Sequence, residues 1–216
     1  MIIEQPPKFF RKIYSDALFR MNAEEKTIYL TFDDGPDPKI TPWVLDVLAR
    51  YNVKATFFMV GDNVRKHHSI YQRVVDAGHY VGNHTFNHIK GFEHSTKSYM
   101  ENTALCNEYV HSTIFRPPHG HMTMRQYRQL KKKYHIIMWD VVTRDYNTKQ
   151  LRWPQVLAYV MKYTRNGSII TFHDSIKSWA NLEPVLPKAI EFWLEEGYTF
   201  KTLDLPPVSQ DSNGID

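Results

Sequence analysis

Cysteine is almost absent from this sequence of 216 residues, in which Cys106 is the only one. A single cysteine cannot form a disulfide within its own chain, so nothing in the sequence requires an oxidising compartment. No apolar run approaches the roughly 20 residues that cross a membrane, and residues 1–7 lack the basic region, apolar core and cleavage site of a signal peptide. We therefore expect a cytoplasmic protein.

The sequence also lacks a strong excess of charge of either sign. The formal net charge is +4, and no run of about five like charges occurs; the densest basic stretch is the lysines at 131–133. A nucleic-acid-binding surface needs a stronger basic stripe, so we expect no nucleic-acid partner. Hydrophobic residues make up 42% of the chain and charged residues 23%, which is ordinary for one globular domain with a substantial core. Composition does not specify the oligomeric state.

Short apolar runs with strand character alternate along the chain with helical patterns. Apolar and polar residues alternate in 27–32, and residues 55–60 and 168–172 are largely apolar. The helical patterns carry start and stop signals, such as Pro154 before one of them and Gly167 after it. About seven such strand–helix units predict a parallel α/β sheet that closes, or nearly closes, into a barrel.

Polar side chains that could take part in catalysis or metal binding follow the predicted strands at their carboxyl ends. They are Asp33, Asp34, His84, Arg116, Asp140 and His173. Because the active sites of α/β barrels lie at the carboxyl ends of the strands, we expect these residues to converge on one mouth of the barrel.

The doublet Asp33-Asp34 and the pair His84 and His88 indicate a metal site. Adjacent carboxylates repel each other unless a positive group lies beside them. His84 and His88 are four residues apart, so on a helical turn both imidazoles face the same side and can bind one metal, with a carboxylate as the third ligand. Two nitrogens and one oxygen leave a position open for water, which is typical of catalytic zinc. The alternative is two solvated turn aspartates and an incidental histidine pair, and the combination favours the metal.

Hydrolysis of an amide beside such a metal needs a base for the water and an acid for the leaving amine. One of the two acids of the doublet and His173 can take those roles. Arg116 can orient the free carboxylate by a bidentate contact and keep it ionised.

These residues resemble the polysaccharide deacetylases with the NodB homology domain, which remove N- or O-acetyl groups from sugars. The resemblance runs from about Thr27 to Leu203. Its motifs are Thr31-Phe32-Asp33-Asp34-Gly35-Pro36, His84-Thr85-Phe86-Asn87-His88, Arg116-Pro117-Pro118-His119-Gly120, the Asp145 region and Phe172-His173-Asp174. The resemblance implies a distorted (β/α)7 barrel, in agreement with the strand and helix pattern.

The resemblance also implies a role for each matching residue. Asp33 is the catalytic base, Asp34, His84 and His88 are the metal ligands, Arg116 tethers the base, His173 is the general acid, Asp145 tunes that acid, and the backbone N–H of His119 faces the developing oxyanion. Zinc suits two nitrogens and one oxygen, and cobalt and nickel accept the same set.

Three positions depart from the usual motifs of the family and concern the substrate pocket. Tyr146 stands where the family usually has tryptophan, His119 where an aromatic residue is common, and Thr171 where an aliphatic residue usually lines the acetyl pocket. A hydroxyl and an imidazole can admit a more polar acyl group or reshape the sugar site.

The leading functional hypothesis is a metal-dependent hydrolase that removes the acetyl group from an N-acetylated amino sugar or glycan. A second hypothesis uses the same site on a non-carbohydrate amide or a cyclic imide. A third is a glycan-binding module without catalysis, which a complete set of ligands, base and acid disfavours.

The expected domain organisation has three parts. Residues 1–26 form an amphipathic segment that packs on the barrel, residues 27–205 form the catalytic domain, and residues 206–216 form a flexible tail. The segment around Phe9, Phe10 and Ile13 also has the pattern of a membrane-surface helix, but packing on the barrel is the favoured interpretation.

Overall fold

The computed structural model describes residues 5–21 and 24–209. Strands and helices alternate through these residues. The strands are β1 (Thr27–Asp33), β2 (Thr56–Met59), β3 (Tyr80–Asn83), β4 (Ile114–Phe115), β5 (His135–Ile136), β6 (Val141–Val142), β7 (Ile169–His173) and β8 (Thr199–Phe200). The helices are α1 (Lys8–Ile13), α2 (Ile40–Arg50), α3 (Gly61–Lys66), α4 (His68–Asp76), α5 (Thr96–Val110), α6 (Met124–Leu130), α7 (Trp153–Tyr163) and α8 (Trp179–Glu195).

The strands form one curled parallel sheet. The order across it is β5-β4-β3-β2-β1-β7-β6, and β8 adds a short parallel pairing to the start of β1. Crossover helices connect most of the neighbouring strands, as parallel pairing requires. The fold is a distorted (β/α)7 barrel, so the prediction from the sequence is confirmed.

Side chains of the central strands alternate between two apolar layers. Phe32, Phe57 and Phe172 stack on one another with ring centroids 5.0 and 6.1 Å apart, and they belong to the cluster that packs under the helices. Phe58, the neighbour of Phe57, belongs to a second cluster with Ile137. Full burial of each such side chain contributes about 1.5–3 kcal/mol, and this rigid sheet fixes the positions of the strand ends.

The segment before β1 closes the seam between the two ends of the sheet. Leu18 pairs in parallel with Ile137, and its N–H donates to the carbonyl of Ile136 at 2.8 Å. Two residues later, Arg20 pairs in antiparallel with Ser168, just before β7. Residues 18–20 therefore form a seam between Ile137, just after β5 at one end of the sheet, and Ser168, just before β7, the neighbour of β6 at the other end.

Helix α1 packs on the barrel through one side. Phe10 contacts the buried cluster that contains Tyr14 and Phe19, whereas Phe9 and Ile13 are exposed. The predicted boundary of this segment at residue 26 stays a prediction. Of the predicted tail, residues 206–209 continue without regular structure, and 210–216 lie outside the described residues. Among the described helices, none has both the length and the apolar character to cross a membrane.

The expectation that Asp140 lies at the mouth of the barrel is wrong. Asp140 precedes β6 rather than following β5, and its N–H donates to the carbonyl of Ile169 at the first residue of β7. It therefore lies at the amino ends of these strands. Residues 135–139 have the apolar pattern of one strand that would end at Asp140, but the strand ends at Ile136 and the chain leaves the sheet before β6 begins.

Asp140 has a structural role at that end of the barrel. Its buried carboxylate accepts hydrogen bonds from Arg11 at 2.7 Å, from Arg165 at 2.6 and 2.9 Å and from the hydroxyl of Ser168 at 2.8 Å. Burial alone would raise the pKa of Asp140, but these donors outweigh it and hold the pKa below its usual value. The carboxylate thus ties α1 to the start of β7.

Candidate active site

Asp33 ends β1 and lies against a buried arginine. The guanidinium of Arg116 donates to Oδ1 of Asp33 at 2.6 Å, and Asp33 is only 5% exposed. The contact joins one nitrogen to one oxygen, so it is not the bidentate contact that the sequence suggested. The second carboxylate oxygen of Asp33 is not taken by this arginine.

Arg116 is held on every side and is fully buried. Its guanidinium donates to the hydroxyl of Thr31 at 2.8 Å and to the carbonyl of Met138 at 3.0 Å, and it lies 4.0 Å from the ring centroid of Phe58. Burial lowers the pKa of Arg116, and the charge of Asp33 acts against that shift. The guanidinium thus provides a fixed positive charge beside Asp33.

Asp34, His84 and His88 form a compact group of ligand atoms. The Nε2 atoms of His84 and His88 lie 3.7 and 3.1 Å from Oδ1 of Asp34, and all three ligand atoms lie within 4.8 Å of one another. Burial alone would raise the pKa of Asp34, but the hydrogen bond from His88 and the charge of His173 outweigh it and hold the pKa well below its usual value. The carboxylate is ionised at neutral pH.

A loop, not a helical turn, brings the two histidines together, which corrects the local geometry expected from their spacing. β3 ends at Asn83, and the backbone turns through left-handed conformations at Thr85 (φ 64°) and His88 (φ 54°). The side chain of Asn83 accepts the N–H of Thr85 at 3.0 Å, and Asn102 on α5 accepts the N–H groups of residues 86 and 87. Side chains from two elements therefore stabilise the loop.

The hydrogen bonding of His84 fixes its tautomer. Nδ1 lies 2.8 Å from the carbonyl oxygen of Arg116, and a carbonyl can only accept, so Nδ1 carries the proton. Nε2 then presents its lone pair toward Asp34. Burial lowers the pKa of His84 to about 4, which keeps the ring neutral at pH 7. An ionised carboxylate and a neutral imidazole with an oriented lone pair fit a divalent metal of the zinc type.

His173 and Asp145 form the second polar pair of the site. Nδ1 of His173 lies 2.7 Å from Oδ1 of Asp145, and the backbone N–H of His173 donates to Oδ2 at 2.9 Å. Burial alone would lower the pKa of His173, but the charge and hydrogen bond of Asp145 outweigh it and raise the pKa to about 9. His173 ends β7 and is the register partner of Asp33 on β1, so the two groups lie at neighbouring strand ends.

One cavity of about 410 Å³ joins these groups. It is lined by Asp33, Asp34, His84, His88, His119, His121, Trp139, Val142, Arg144, Tyr146, Thr171, His173 and Lys177. Arg116 and Asp145 lie behind this lining, beneath Asp33 and His173. The structure thus brings together the predicted residues, apart from Asp140.

The three residues that depart from the usual motifs all line this cavity. Tyr146 is half exposed, with its ring centroid 4.8 Å from that of His173. His119 lies 4.9 Å from the ring of His88, and burial lowers its pKa to about 4. Thr171 is buried, with its hydroxyl 3.2 Å from that of Thr31.

Sequence reasoning gave no role to Asp174, although it follows His173. Asp174 is fully buried; its carboxylate accepts the N–H of Gly35 at 3.1 Å and the hydroxyl of Thr41 at 2.5 Å. Its own N–H donates to the carbonyl of Asp33 at 3.1 Å. Its position directly after the strand-end His173 was the one signal in the sequence that Asp174 belongs to the site. The partners of Asp174 lie far away along the chain, so the sequence does not show them.

Comparison with known proteins identifies relatives of this chain. The model of the polysaccharide deacetylase family matches residues 20–139, which is more than half of the chain. A peptidoglycan-N-acetylglucosamine deacetylase from Bacillus cereus is 32% identical over 188 residues, which cover 83% of this chain and 87% of that protein. The peptidoglycan-N-acetylmuramic acid deacetylase PdaA of Bacillus subtilis is 30% identical over 214 residues, which cover 93% of this chain and 80% of that protein.

A solved structure has the same fold. The crystal structure of the Bc1960 peptidoglycan N-acetylglucosamine deacetylase superposes with a TM-score of 0.78 at 30% identity, and the match covers 86% of this chain and 89% of the other. Fold and sequence together make this chain a carbohydrate esterase of the deacetylase type, a hydrolase that acts on N-acetylated amino sugars. It belongs to the polysaccharide deacetylase family, as its motifs predicted.

Proposed function

We propose that this chain is a metal-dependent enzyme that removes acetyl groups from the amino sugars of a glycan, with Asp33 as the base and His173 as the acid. The observation that carries the proposal is the register of β1 and β7. It sets Asp33 opposite His173, with the ligand group of Asp34, His84 and His88 beside them.

Asp34, His84 and His88 would hold the metal, since their ligand atoms converge and Nε2 of His84 presents a lone pair toward the carboxylate of Asp34. Deacetylases of this family are metalloenzymes. A bound zinc-type ion would polarise the acetyl carbonyl and acidify a water, and cobalt or nickel suit the same ligands. We favour zinc, because two nitrogens and one oxygen with an open position is its usual catalytic set.

Asp33 takes the proton of the attacking water in this proposal. Arg116 fixes one of the oxygens of Asp33 at 2.6 Å, which leaves the other oxygen for the water. The tether is rigid, because Arg116 is also bound to Thr31 and Met138. Removal of the water proton therefore needs no rearrangement of the base.

His173 gives a proton to the leaving amine. A pKa of about 9 keeps its ring protonated at neutral pH, and the Nδ1 contact with Asp145 leaves the proton on Nε2 as the one to be donated. Asp145 is itself held in place, since Asn181 on α8 donates to its backbone carbonyl at 3.0 Å. The backbone N–H of His119 is proposed as a donor to the developing oxyanion.

The substrate class follows from the relatives together with the pocket. Two relatives act on N-acetylglucosamine or N-acetylmuramic acid of peptidoglycan, so we propose an N-acetylated glycan of that type. The hydroxyl of Thr171 lies within hydrogen-bonding distance of that of Thr31. Because this hydroxyl already has a partner in the protein, it gives less reason to expect a polar acyl group or a cyclic imide as the substrate. We propose Tyr146 as a contact for the sugar ring, because its half-exposed ring lies beside His173.

The test is acetate release by purified protein that has been stripped of metal and then refilled with zinc or cobalt. The substrates are chitooligosaccharides and peptidoglycan fragments. Metal-dependent acetate release supports the proposal. Metal binding without release from any of these sugars contradicts it and moves the substrate toward other amides, and release that is unchanged by stripping contradicts the metal role.

A further inference from the structure

A row of aromatic rings leads from the ligand group out of the active-site cavity. Ring centroids lie 4.9 Å apart for His88 and His119, and 6.0 Å apart for His119 and His121. The ring of Phe92 follows, 5.3 Å from that of His121. The three histidines line the cavity, whereas Phe92 stands beyond its lining. The row therefore begins at a proposed metal ligand and ends on the surface beside the cavity.

Phe92 presents an open aromatic ring at the outer end of this row. Its side chain is 62% exposed, and its ring plane makes an angle of 34° with that of His121, which is exposed as well. Single exposed apolar side chains are common on protein surfaces, so exposure alone does not define a binding site. The support beneath Phe92 is the second observation.

The segment that carries Phe92 is fixed by hydrogen bonds. The N–H of Gly91 donates to the carbonyl of His121 at 3.0 Å, which joins the two ring-bearing segments directly. The buried side chain of Gln126, on α6, donates to the carbonyls of Gly91 and His94 at 2.9 and 3.2 Å, on both sides of Phe92. A Cβ on Gly91 would lie 2.6 Å from the carbonyl oxygen of His121, so only glycine permits this approach. Phe92 is thus held in place before any ligand arrives.

The charges beside Phe92 cancel each other. The ammonium group of Lys90 lies 3.0 Å from the carboxylate of Glu93, and these two residues flank the exposed ring in the sequence. A partner that binds through charge would find no excess of either sign in this pair. The surface is suited instead to a neutral ligand with an apolar face.

A sugar ring of a glycan chain is such a ligand. The axial C–H groups of a β-linked amino sugar form an apolar face that can pack flat on an aromatic side chain. Because Phe92 is already fixed, little conformational freedom is lost when a sugar packs on it. Successive rings of the row are spaced much as successive sugars are in a glycan, so a sugar a few units from the reacting acetamido group can reach Phe92.

We propose that Phe92, with His121, binds a sugar ring of the substrate chain outside the active-site cavity. This proposal rests on the proposed function and adds to it a residue through which the length of the glycan affects KM. Phe92 touches no reacting group, so its contact is the same before and during the reaction. Such binding lowers KM and leaves kcat unchanged.

The experiment measures how acetate release depends on chain length. Zinc-loaded enzyme is assayed on a disaccharide and a hexasaccharide of whichever glycan, chitooligosaccharide or peptidoglycan strand, gives the faster release. The readout is the kcat/KM of the hexasaccharide divided by that of the disaccharide. Phe92→Ala should lower this ratio about threefold to tenfold, through a higher KM for the hexasaccharide at an unchanged kcat.

Three further variants separate packing on the aromatic ring from other effects. Phe92→Tyr keeps the ring and should keep most of the ratio, whereas Phe92→Leu keeps apolar volume without a ring and should resemble Phe92→Ala. Phe9→Ala is the matched control: Phe9 is 63% exposed, but it lies on α1, which Asp140 ties to the amino ends of the strands. Phe9→Ala should keep the wild-type ratio.

The outcomes that overturn this proposal differ from those that overturn the proposed function. Wild type that releases no acetate from either length overturns the proposed function and, with it, the role of Phe92. Release by both wild type and Phe92→Ala at the same ratio overturns only the role of Phe92 and leaves the deacetylase in place. A loss of kcat on both lengths at an unchanged KM also overturns it, because that result indicates a structural role.

Discussion

The carboxylate of Asp174 occupies the space that a Cβ atom on Gly35 would need. The same carboxylate accepts the N–H of Gly35, which directly follows the doublet Asp33-Asp34. Burial raises the pKa of Asp174 well above its usual value, and the hydroxyl of Thr41 donates to it. A buried acid directly after β7 thus fixes the turn that carries the proposed base and one proposed ligand.

Gly35→Ala should therefore disturb the metal site as well as the fold. The added methyl group must displace Asp174, and overpacking of this kind costs about 1–3 kcal/mol. We expect a lower free energy of unfolding and a weaker zinc affinity, measured by chemical denaturation and calorimetry. Gly197→Ala is the control: its φ of 78° strains an alanine, but no atom lies within 4 Å, so it should lose stability with normal zinc affinity. Equal zinc affinity in both variants would reject the coupling.

Asp33→Asn should remove turnover and spare metal binding. An amide of the same shape keeps the packing against Arg116 but cannot take a proton from water, and loss of a general base costs about 10²–10⁴-fold in kcat. The measurements are acetate release and zinc titration on the same preparation. Asp46→Asn, on the exposed side of α2, is the matched control. An Asp33→Asn enzyme with near-normal kcat would rule out Asp33 as the base.

His88→Ala should weaken metal binding far more than it weakens the fold. Loss of an outer-shell partner of a metal already costs about 10–100-fold in affinity, so removal of a direct ligand should cost at least that much. Zinc dissociation constants from competition with a chelator check this. His94→Ala, an exposed histidine outside the ligand group, should bind zinc as wild type does. Unchanged affinity in His88→Ala would contradict the ligand assignment.

Activity should fall at high pH as His173 loses its proton. The pKa of His173 is raised to about 9 in the folded protein, above the ordinary value of 6.5. The protonated ring therefore stabilises the fold fully below about pH 6.5, and this stabilisation is lost as the pH rises through about 9. Asp145→Asn removes the main cause of the raised pKa. We expect the high-pH limb of kcat/KM to move to lower pH in that variant. A limb that stays in place would exclude His173 as the titrating acid.

Asp140→Asn tests the corrected position of Asp140. The substitution removes the charge that Arg11 and Arg165 bind but keeps the shape, so we expect the free energy of unfolding to fall by about 1–3 kcal/mol. Because Asp140 lies at the amino ends of the strands, kcat/KM at a temperature where the variant is folded should match wild type. A large loss of kcat/KM without a loss of stability would return Asp140 to the active site.

The motifs predicted the fold and the members of the site because both depend on local signals. Asp33 and His173 each end a strand, and the carboxyl end of every strand in such a barrel lies at the mouth. Their position therefore does not depend on the sequence of the other segments. The local conformation between His84 and His88 was not predictable in this way. It depends on left-handed residues and on Asn102, which comes from a helix that begins after the loop.

Asp140 and Asp174 show two different errors of prediction from sequence. Asp140 was assigned to the wrong end of the barrel, and Asp174 was given no role. Asp140 follows an apolar run and was read as a strand-end residue, but two very short strands with a break between them have the same pattern as one longer strand. Asp174 was not assigned because its partners, Gly35 and Thr41, are more than 130 positions away. Long-range packing decided both cases, and one sequence carries no direct record of it.

The seam formed by residues 18–20 also bears on synthesis of the chain. Leu18 and Arg20 are translated more than 100 residues before their partners, Ile137 and Ser168. Strand β1 likewise waits for β7. The growing chain therefore carries an unpaired edge of β1 until β7, more than 130 residues later, has been translated, and such an edge can pair with another nascent chain. Closure of the barrel is a late event in its biogenesis, and the open edge is a liability during that interval.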